Sequence, residues 1–215
     1  MNIAIITPYF KESDEVLRQC HESVLNQTGD FNVKHFMIAD GRPNKKTFSW
    51  DCSHTILARS HSDNGNTPRA IGCLLAKNES YDFIGFLDAD NWYHENHINS
   101  LLQTFNKRRL PIVTSLRTYH LPDGKQLDIR EKDEDSLKHI DTSCLLLHRS
   151  AFELNELWST MPKPLSPICD RIFVAGMRHK RFNFASSMQR TVAFRTQYKN
   201  HYMSAGLNPP DDAKG

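Results

Sequence analysis

The stretch that decides the fold is residues 81–92, which read YDFIGFLDADNW. Residues 83–87 form a short, continuous apolar run, which predicts a buried strand. The run ends at two carboxylates, Asp88 and Asp90. Ligands bind at the carboxyl ends of strands in an open α/β sheet, and carboxylates there are oxygen ligands for Mg²⁺ or Mn²⁺. The stretch therefore predicts a metal-assisted phosphate site, with a strand that simply ends in solvated aspartates as the alternative.

Strand and helix patterns alternate along the first 110 residues. Predicted strands cover residues 2–7, 33–39 and 54–58. Ser13 and Thr67, the latter followed by Pro68, are the predicted caps of two helices, and a third helix follows the acidic strand. Alternation of this kind builds a mostly parallel sheet with helices on both faces. The predicted fold class is therefore α/β. The strand ends at Thr7, Asp40 and Asp88 are expected along one edge of the sheet, although neither a G-x-G-x-x-G fingerprint nor a Walker A sequence follows the first strand.

The second half of the chain is less regular. Residues 112–116 and 143–147 are interpreted as strands, residues 165–177 as a helix, and the charge-dense segment 128–135 as a solvated loop. The tail, residues 203–215, is expected to be flexible. At 215 residues the chain is long enough for one core and too short for two ordinary domains. We therefore expect a single domain.

Charge and cysteine usage argue against several classes of protein. The net charge of +2 is too small to indicate nucleic-acid binding, although it permits loose contact with an anionic membrane surface. The five cysteines include no CxxC pair, which argues against a disulfide scaffold or a zinc cluster and favours a reducing compartment. The sequence has no signal-peptide pattern and no apolar run of about 18 residues. The predicted location is cytoplasmic.

Four separated motifs, taken in order, resemble the GT-A glycosyltransferases, specifically the inverting enzymes similar to family 2. The motifs are ITPYFKE at 6–12, IADG at 38–41, NGNTPRA at 64–70 and LDADN at 87–91. The resemblance extends well to about residue 105 and more weakly to about residue 202. It implies a Rossmann-like GT-A fold, with a nucleotide-sugar donor half at residues 1–105 and an acceptor half at residues 106–202.

The resemblance also implies the residues of the donor site. The nucleotide-sugar-binding residues are Thr7, Pro8, Tyr9, Glu12, Asp40, Arg69, Asp88, Ala89 and Asp90. Among them, Asp40 accepts a hydrogen bond from the uracil imide and Arg69 contacts the nucleotide. Asp90 is the direct ligand of Mn²⁺ or Mg²⁺, and Asp88 lies near the ribose or behind the ion. A divalent ion there stabilises the negative charge that develops on the leaving diphosphate.

Read without the resemblance, the same residues allow simpler interpretations. Asp40 is equally a turn residue before Gly41, because Asp-Gly is a favoured turn pair. Arg69 is equally an ordinary surface arginine. Tyr9 either stacks on the nucleotide base or covers the edge of the sheet.

An inverting transfer needs a general base that takes the proton of the acceptor hydroxyl. By the resemblance this base is Asp170, within PICDRIF at 167–173, and Asp141 is the second candidate. The match is partial, because Cys-Asp-Arg stands where the family commonly has a Glu-Asp pair. A carboxylate in the first turn of a helix, favoured by the dipole, is the alternative for Asp170.

Histidines give weaker indications. Related folds bring a C-terminal histidine back to the metal or the diphosphate, so the resemblance adds His201 to Asp90 and Asp88 as a metal ligand, with a solvated tail as the alternative. His94 and His97 are spaced like metal ligands, but they lack a third ligand and are interpreted as helix surface.

The predicted function is a single transfer of one sugar from a nucleotide sugar, UDP-linked, to a hydroxyl of a glycan or glycolipid acceptor. The Q-x-x-R-W motif of processive synthases is absent. Two alternatives stay open, a nucleotidyltransferase of similar α/β build and a non-catalytic nucleotide-sugar-binding partner subunit. The sequence does not indicate an oligomeric state.

Overall fold

Strands and helices alternate through the first half of the computed structural model, which describes residues 1–215. The strands are β1 (Asn2–Tyr9), β2 (Asn32–Ala39), β3 (Ser53–Ile56), β4 (Phe83–Phe86), β5 (Trp92–Tyr93), β6 (Ile112–His120), β7 (Gln126–Leu127), β8 (Leu145–His148) and β9 (Phe184–Arg195). The helices are α1 (Asp14–Leu25), α2 (Asn66–Asn78), α3 (His97–Arg108), α4 (Lys132–Asp135), α5 (Glu156–Thr160), α6 (Cys169–His179) and α7 (Lys199–Ser204). Short 3₁₀ segments lie at Lys45–Ser49, Thr142–Cys144, Arg149–Asn155 and Lys163–Ile168.

All nine strands belong to one sheet, in the order β3-β2-β1-β4-β8-β6-β9-β5, with β7 paired to β6. β1 pairs in parallel with both β2 and β4, and β2 pairs in parallel with β3. Beyond β4 the sheet is mixed, because β8 runs antiparallel to β4 and β6 while β9 runs parallel to β6. The predicted α/β class is confirmed. The carboxyl ends of β1, β2 and β4 lie side by side, as expected.

Two helix starts fix the loops at that edge. The Ser13 hydroxyl accepts from the Val16 amide at 3.4 Å and caps α1, as the sequence predicts. The cap of α2 differs from the prediction, because it is Gly65 and not Thr67. Gly65 has φ +82°, and a Cβ there would lie 2.9 Å from Pro8, so only glycine fits. The Thr67 hydroxyl instead donates to the Asp63 carboxylate at 2.6 Å.

One apolar cluster of 33 buried residues lies beneath both halves of the sheet. Its aromatic centre joins Phe86 of β4 to Trp158 of α5, whose ring stacks on Phe173 of α6 at a centroid distance of 4.4 Å. This packing ties the strand that leads to the acidic loop to the helix that begins at Cys169. All five cysteines are free thiols. No helix is both long enough and apolar enough to cross a bilayer.

Two predictions of solvent exposure, for segment 128–135 and for His97, are wrong, and the flexibility of the tail stays a prediction. Segment 128–135 is not only a solvated loop, because it contains α4 and the carboxylate of Glu134, which is 1% exposed and pairs with Arg117. The tail returns to the end of β9, where the Lys214 amide donates to the Gln197 carbonyl at 2.7 Å. His97 is buried and bonded to Thr191 at 2.8 Å, so it is not helix surface.

Candidate functional site

The carboxyl ends of β1, β2 and β4 line a cavity of about 530 Å³, here called the first cavity. The loop before α2 and the chain after β9 complete its walls. Eight of the nine predicted nucleotide-sugar residues line it: Pro8, Tyr9, Glu12, Asp40, Arg69, Asp88, Ala89 and Asp90. The sheet therefore brings together side chains that lie far apart in the sequence.

Arg69 lies under the acidic loop and is 3% exposed. Its guanidinium pairs with the Asp88 carboxylate, donates to the Asn64 carbonyl at 2.8 Å and packs over the Trp158 ring at 5.2 Å. Burial lowers the pKa of Arg69, but the charge and hydrogen bond of Asp88, together with the other acidic groups nearby, outweigh burial and raise it, so the guanidinium stays charged. Arg69 is therefore not an ordinary surface arginine, and its positive charge balances the negative charge of the Asp88 carboxylate.

Asp90 is the carboxylate of the acidic loop that forms no ion pair. Its only side-chain hydrogen bond comes from the Gln197 amide at 3.0 Å. Burial, together with the charges of Asp88 and Glu12, raises the pKa of Asp90 to about 7. A bound cation would relieve this repulsion and keep the carboxylate ionised.

The residues of the first cavity fit the divalent ion that the family resemblance implies. Mg²⁺ is commonly held by one or two carboxylates with substrate phosphates and water, so Asp90 alone is a sufficient protein ligand. Asp88 is already paired with Arg69. No group of three or more His, Cys, Asp or Glu side chains is placed to hold a metal ion without a substrate.

Arg195, at the end of β9, fixes the backbone of the acidic loop. Its amide donates to the Asn91 side-chain oxygen at 3.0 Å, and its Nε donates to the Asp90 carbonyl at 3.1 Å. The remaining guanidinium nitrogens bind the Gln19 side-chain oxygen and the Pro122 carbonyl. Because each of its three guanidinium nitrogens donates to a protein oxygen, Arg195 orients the acidic loop.

Asp40 is held by residues that sequence reasoning missed. Its carboxylate accepts from the Ser60 hydroxyl at 3.1 Å, from the His61 amide at 3.1 Å and from His61 Nδ1 at 2.7 Å. Asp40 is 7% exposed and lines the first cavity. No local pattern marks His61, because its partner lies 21 positions earlier on another element.

Tyr9, at the end of β1, and the residues of the loop that follows it have different roles. The Tyr9 ring is buried against His54, and its hydroxyl lies 2.6 Å from His54 Nε2, so it covers the sheet edge. Glu12 accepts from the amides of Phe10 and Lys11 at 2.7 and 3.0 Å and thereby shapes the loop. The partly exposed Phe10 ring, which was not predicted, is the aromatic side chain of this loop that is open to a ligand.

Two predicted site residues are not part of the first cavity. Thr7 is fully buried, and its hydroxyl lies 2.8 Å from His35 Nε2 behind the sheet edge. His201 is 5% exposed and has both ring nitrogens occupied, Nδ1 by Thr196 and Nε2 by Glu131, each at 2.6 Å. With both nitrogens occupied and the ring facing another cavity, His201 is not available to a metal ion on Asp90.

A second cavity of about 440 Å³ adjoins the first, and Phe194 and Tyr198 line both. Its charged and titratable residues come from both sides of the acceptor half: Arg117, Glu131, His139, Asp141, Asp170, Arg171 and His201. Both candidate bases are therefore in the same cavity, next to the predicted donor site.

Asp170 and Asp141 differ in what their oxygens bind. Asp170 accepts from His139 Nε2 at 2.6 Å and from the Arg171 amide at 2.7 Å, and its side chain is 24% exposed. Asp141 is 10% exposed at its side chain, and its oxygens accept from Arg117 and from the Ser143 amide at 2.9 and 2.8 Å. Burial raises the pKa of Asp170, but the hydrogen bond and charge of His139, the Arg171 amide and the charge of Arg117 together outweigh burial and lower it, so the carboxylate is ionised at neutral pH.

Lys214 is a further residue of the first cavity that the sequence did not indicate. Its backbone is paired with Gln197 and Lys199, and its ammonium lies 5.8 Å from the Tyr198 ring centroid. Lys214 is exposed and lines the first cavity. It therefore places a positive charge opposite the acidic loop.

Solved structures with the same fold are known. The chain is similar to S. aureus TarS 1-349 in complex with UDP, with a TM-score of 0.66, 12% identity and coverage of 95% of this chain and 63% of that chain. It is similar to S. aureus TarS 1-349 in complex with UDP-GlcNAc, with a TM-score of 0.63, 11% identity and coverage of 95% and 61%. It is also similar to the structure of S. aureus TarS, with a TM-score of 0.65, 12% identity and coverage of 95% of this chain and 38% of that chain.

The chain thus spans less than two thirds of the length of these structures, and at such low identity the likeness concerns the fold. Comparison with curated protein sequences gives no match. The family model described as Glycosyl transferase family 2 matches residues 4–154, which is more than half of the chain and includes β2, β3, β4 and most of β1. The chain belongs to glycosyl transferase family 2.

Proposed function

We propose that this chain transfers one sugar from a UDP-sugar to a hydroxyl of a glycan or glycolipid acceptor, with inversion at the anomeric carbon and with the help of Mn²⁺ or Mg²⁺. The observation that carries the proposal is the pair of adjoining cavities. One contains a carboxylate without a cation partner, the other contains an ionised carboxylate held by a histidine, and Phe194 and Tyr198 belong to both. A donor and an acceptor bound in these cavities would meet at that shared wall.

The donor part of the proposal rests on the first cavity. Asp40 lies at the end of β2, where a carboxylate suits the imide N–H of uracil, and the similar TarS structures are complexes with UDP and UDP-GlcNAc. Asp90 would hold the divalent ion, which when bound would stabilise the charge of the leaving diphosphate. Arg195 keeps the backbone of Asp90 in place.

The acceptor part rests on Asp170. Its carboxylate takes the proton of the acceptor hydroxyl while the hydroxyl oxygen bonds to the anomeric carbon. The bond between that carbon and the diphosphate oxygen breaks, and its electrons leave with the diphosphate. Asp141 is the weaker candidate, because its two oxygens are engaged by Arg117 and the Ser143 amide and it is less exposed.

The deciding experiment is the turnover of UDP-sugars to UDP by wild type and by Asp170→Asn, with and without Mn²⁺. The amide keeps the shape of the carboxylate but does not accept a proton at neutral pH. Loss of a positioned base typically costs about 10²–10⁴-fold, so transfer should fall by that range while UDP affinity, measured by calorimetry, stays unchanged.

Other outcomes support the rival functions. UDP binding without turnover of any UDP-sugar would favour a non-catalytic subunit. Release of pyrophosphate from UTP and a sugar phosphate would favour a nucleotidyltransferase. If Asp170→Asn transfers sugar at a rate within a few-fold of wild type, Asp170 is only a carboxylate in the first turn of α6. Asp141→Asn would then be the next variant to measure.

A further inference from the structure

Asp170 does not stand alone on the wall of the second cavity. His139 Nε2 donates to its Oδ2 at 2.6 Å, and the Arg171 amide donates to Oδ1 at 2.7 Å. The two side chains are 19% and 24% exposed, so the pair is shielded but open to the cavity. Each carboxylate oxygen accepts one hydrogen bond and retains acceptor capacity for a substrate hydroxyl.

The chain that carries His139 is fastened to the helix that carries Asp170. The His139 amide donates to the Asp133 carbonyl at 3.0 Å, and Leu137, with φ +57°, turns the backbone in between. Arg178 of α6 donates to the Leu137 carbonyl at 2.8 Å. The segment that carries His139 and helix α6 are therefore joined by two hydrogen bonds, so the fold holds the imidazole against the carboxylate.

We propose that His139 is the positioning residue of Asp170, which holds the carboxylate toward the acceptor hydroxyl and, through its own charge, sets the pH below which transfer slows. The proposal rests on the proposed function of Asp170 as the general base. His139 lies 31 positions before Asp170 in the sequence, and no motif joins them.

Charged groups from several elements surround His139. The groups on α6 and β6 that face His139 or share its cavity are Asp170, Arg171 and Arg117. Those on the neighbouring segments are Glu131, Asp133, Asp141, Tyr198 and His201. The hydrogen bond to Asp170 raises the pKa of His139 above its ordinary value, while burial and the charge of Arg117 oppose the increase. At neutral pH the imidazole therefore binds a proton more readily than a free histidine does.

The direction of the pH effect follows from the charge of the pair. An imidazolium stabilises Asp170 as an anion and makes it a weaker base, because protonating the carboxylate then weakens an ion pair. As the pH rises through the raised pKa of His139, the ring becomes neutral and still donates through Nε2. Asp170 then accepts the hydroxyl proton more readily, so the rate of transfer should rise over this range.

Two substitutions separate orientation from charge. His139→Gln keeps an amide donor but has no titrating group, whereas His139→Ala has neither. We expect wild type to show an acidic limb above pH 6.5, and His139→Gln to lose this limb while retaining kcat within about 10-fold at pH 8. His139→Ala should lose about 10- to 100-fold in kcat with an unchanged KM for the UDP-sugar, since it removes a hydrogen bond to a charged group. His179→Gln, on the exposed end of α6, is the matched control.

An NMR titration tests the pairing without any acceptor. The imidazole of His139 should titrate above pH 6.5 in wild type and should shift downward in Asp170→Asn. An imidazole that titrates at or below 6.5 would overturn the proposal, as would a His139→Gln variant with the pH profile of wild type. Failure of the proposed function is distinguishable from failure of this proposal. If Asp170 is not the general base, Asp170→Asn keeps the transfer rate of wild type whatever the pKa of His139.

Discussion

The two cavities differ in how their carboxylates are balanced by positive groups. In the first cavity the Asp90 carboxylate forms no ion pair, and burial with neighbouring negative charge raises its pKa to about 7. In the second cavity each carboxylate has a partner, Asp170 in His139 and Asp141 in Arg117. The carboxylates of the second cavity are therefore balanced within the protein itself, whereas Asp90 of the first cavity is not.

Among the carboxylates of the second cavity, Glu131 has the most strongly lowered pKa. The hydrogen bond from His201 outweighs burial and lowers the pKa of Glu131 to about 2. The same contact removes His201 from the metal role that the sequence suggested. A carboxylate that is paired with a positive group holds the local geometry of a site, whereas a carboxylate without such a partner is able to bind a cation.

Breaking the balance of the second cavity should have the largest effect. Arg117 is 3% exposed and pairs with Glu134 and Asp141 at 3.1 and 2.9 Å. Arg117→Met leaves these buried carboxylates without their cation, so we expect the free energy of unfolding to fall by about 3–5 kcal/mol in urea titrations. Arg149→Met removes an exposed pair with Asp82 and should cost about 1 kcal/mol or less. Equal losses in the two variants would contradict the comparison.

Removing the unbalanced carboxylate of the first cavity should affect catalysis and not stability. Asp90→Asn eliminates the charge that would hold the divalent ion, so we expect the metal-dependent transfer rate to fall at least about 100-fold. The measurement is the rate against Mn²⁺ concentration, with the exposed Asp211→Asn as control. Full activity of the variant, or of wild type in excess EDTA, would remove the ion from the mechanism.

Nucleotide affinity tests the far end of the same cavity. Asp40→Ala should weaken UDP binding by about 1.5–3 kcal/mol, because a charge-assisted hydrogen bond is lost. Calorimetry with UDP measures this directly, and Asp30→Asn, in the exposed loop before β2, is the control. Unchanged affinity in Asp40→Ala would place the base of the nucleotide elsewhere.

Histidines of the two regions should respond to pH in opposite directions. Burial holds the pKa of His35, behind β1, well below its ordinary value, so the unfolded chain binds a proton that the folded chain does not. Its stabilising contribution is complete above the unfolded pKa of about 6.5 and should fall by about 1.4 kcal/mol by pH 5.5. His139 has a raised pKa, so its contribution is complete below about 6.5 and is lost as the pH rises through its folded pKa.

Urea unfolding at pH 7 and at pH 5.5 measures the first of these effects. The variant His35→Gln should show a smaller loss of stability between the two pH values than wild type shows. His179→Gln, which changes an exposed histidine, should leave the difference as in wild type. The same difference in His35→Gln as in wild type would mean that His35 is not the group that takes up the proton.

The donor half was predictable because its strands and helices follow simple periodic patterns. β4 is buried at every position, and the motifs at the ends of β1, β2 and β4 meet because parallel neighbours end at one edge. The motifs did not reveal which side chains face the cavity. Thr7 points to His35 although its neighbour Pro8 lines the cavity, as expected from the alternation of side chains along a strand.

The acceptor half was less predictable because polar residues determine much of its structure. β9 was missed, since Ser186, Ser187, Gln189 and Arg190 interrupt any apolar alternation. Segment 128–135 looked solvated because charged residues usually are, yet Glu134 is buried against Arg117. The pairing of His139 with Asp170 depends on tertiary structure alone. Such contacts leave no local pattern in a single sequence.

The pairing of β5 has a consequence for the order of folding. The acidic loop lies between β4 and β5, and the sheet partner of β5 is β9, with Trp92 opposite Ala193 and Tyr93 opposite Val192. These contacts join segments about a hundred residues apart, and contacts of such sequence separation form late because loop closure precedes them. We therefore expect β1, β2, β3 and β4 to pair before the acidic loop is anchored, and the proposed donor site to be complete only after β9 has been synthesised.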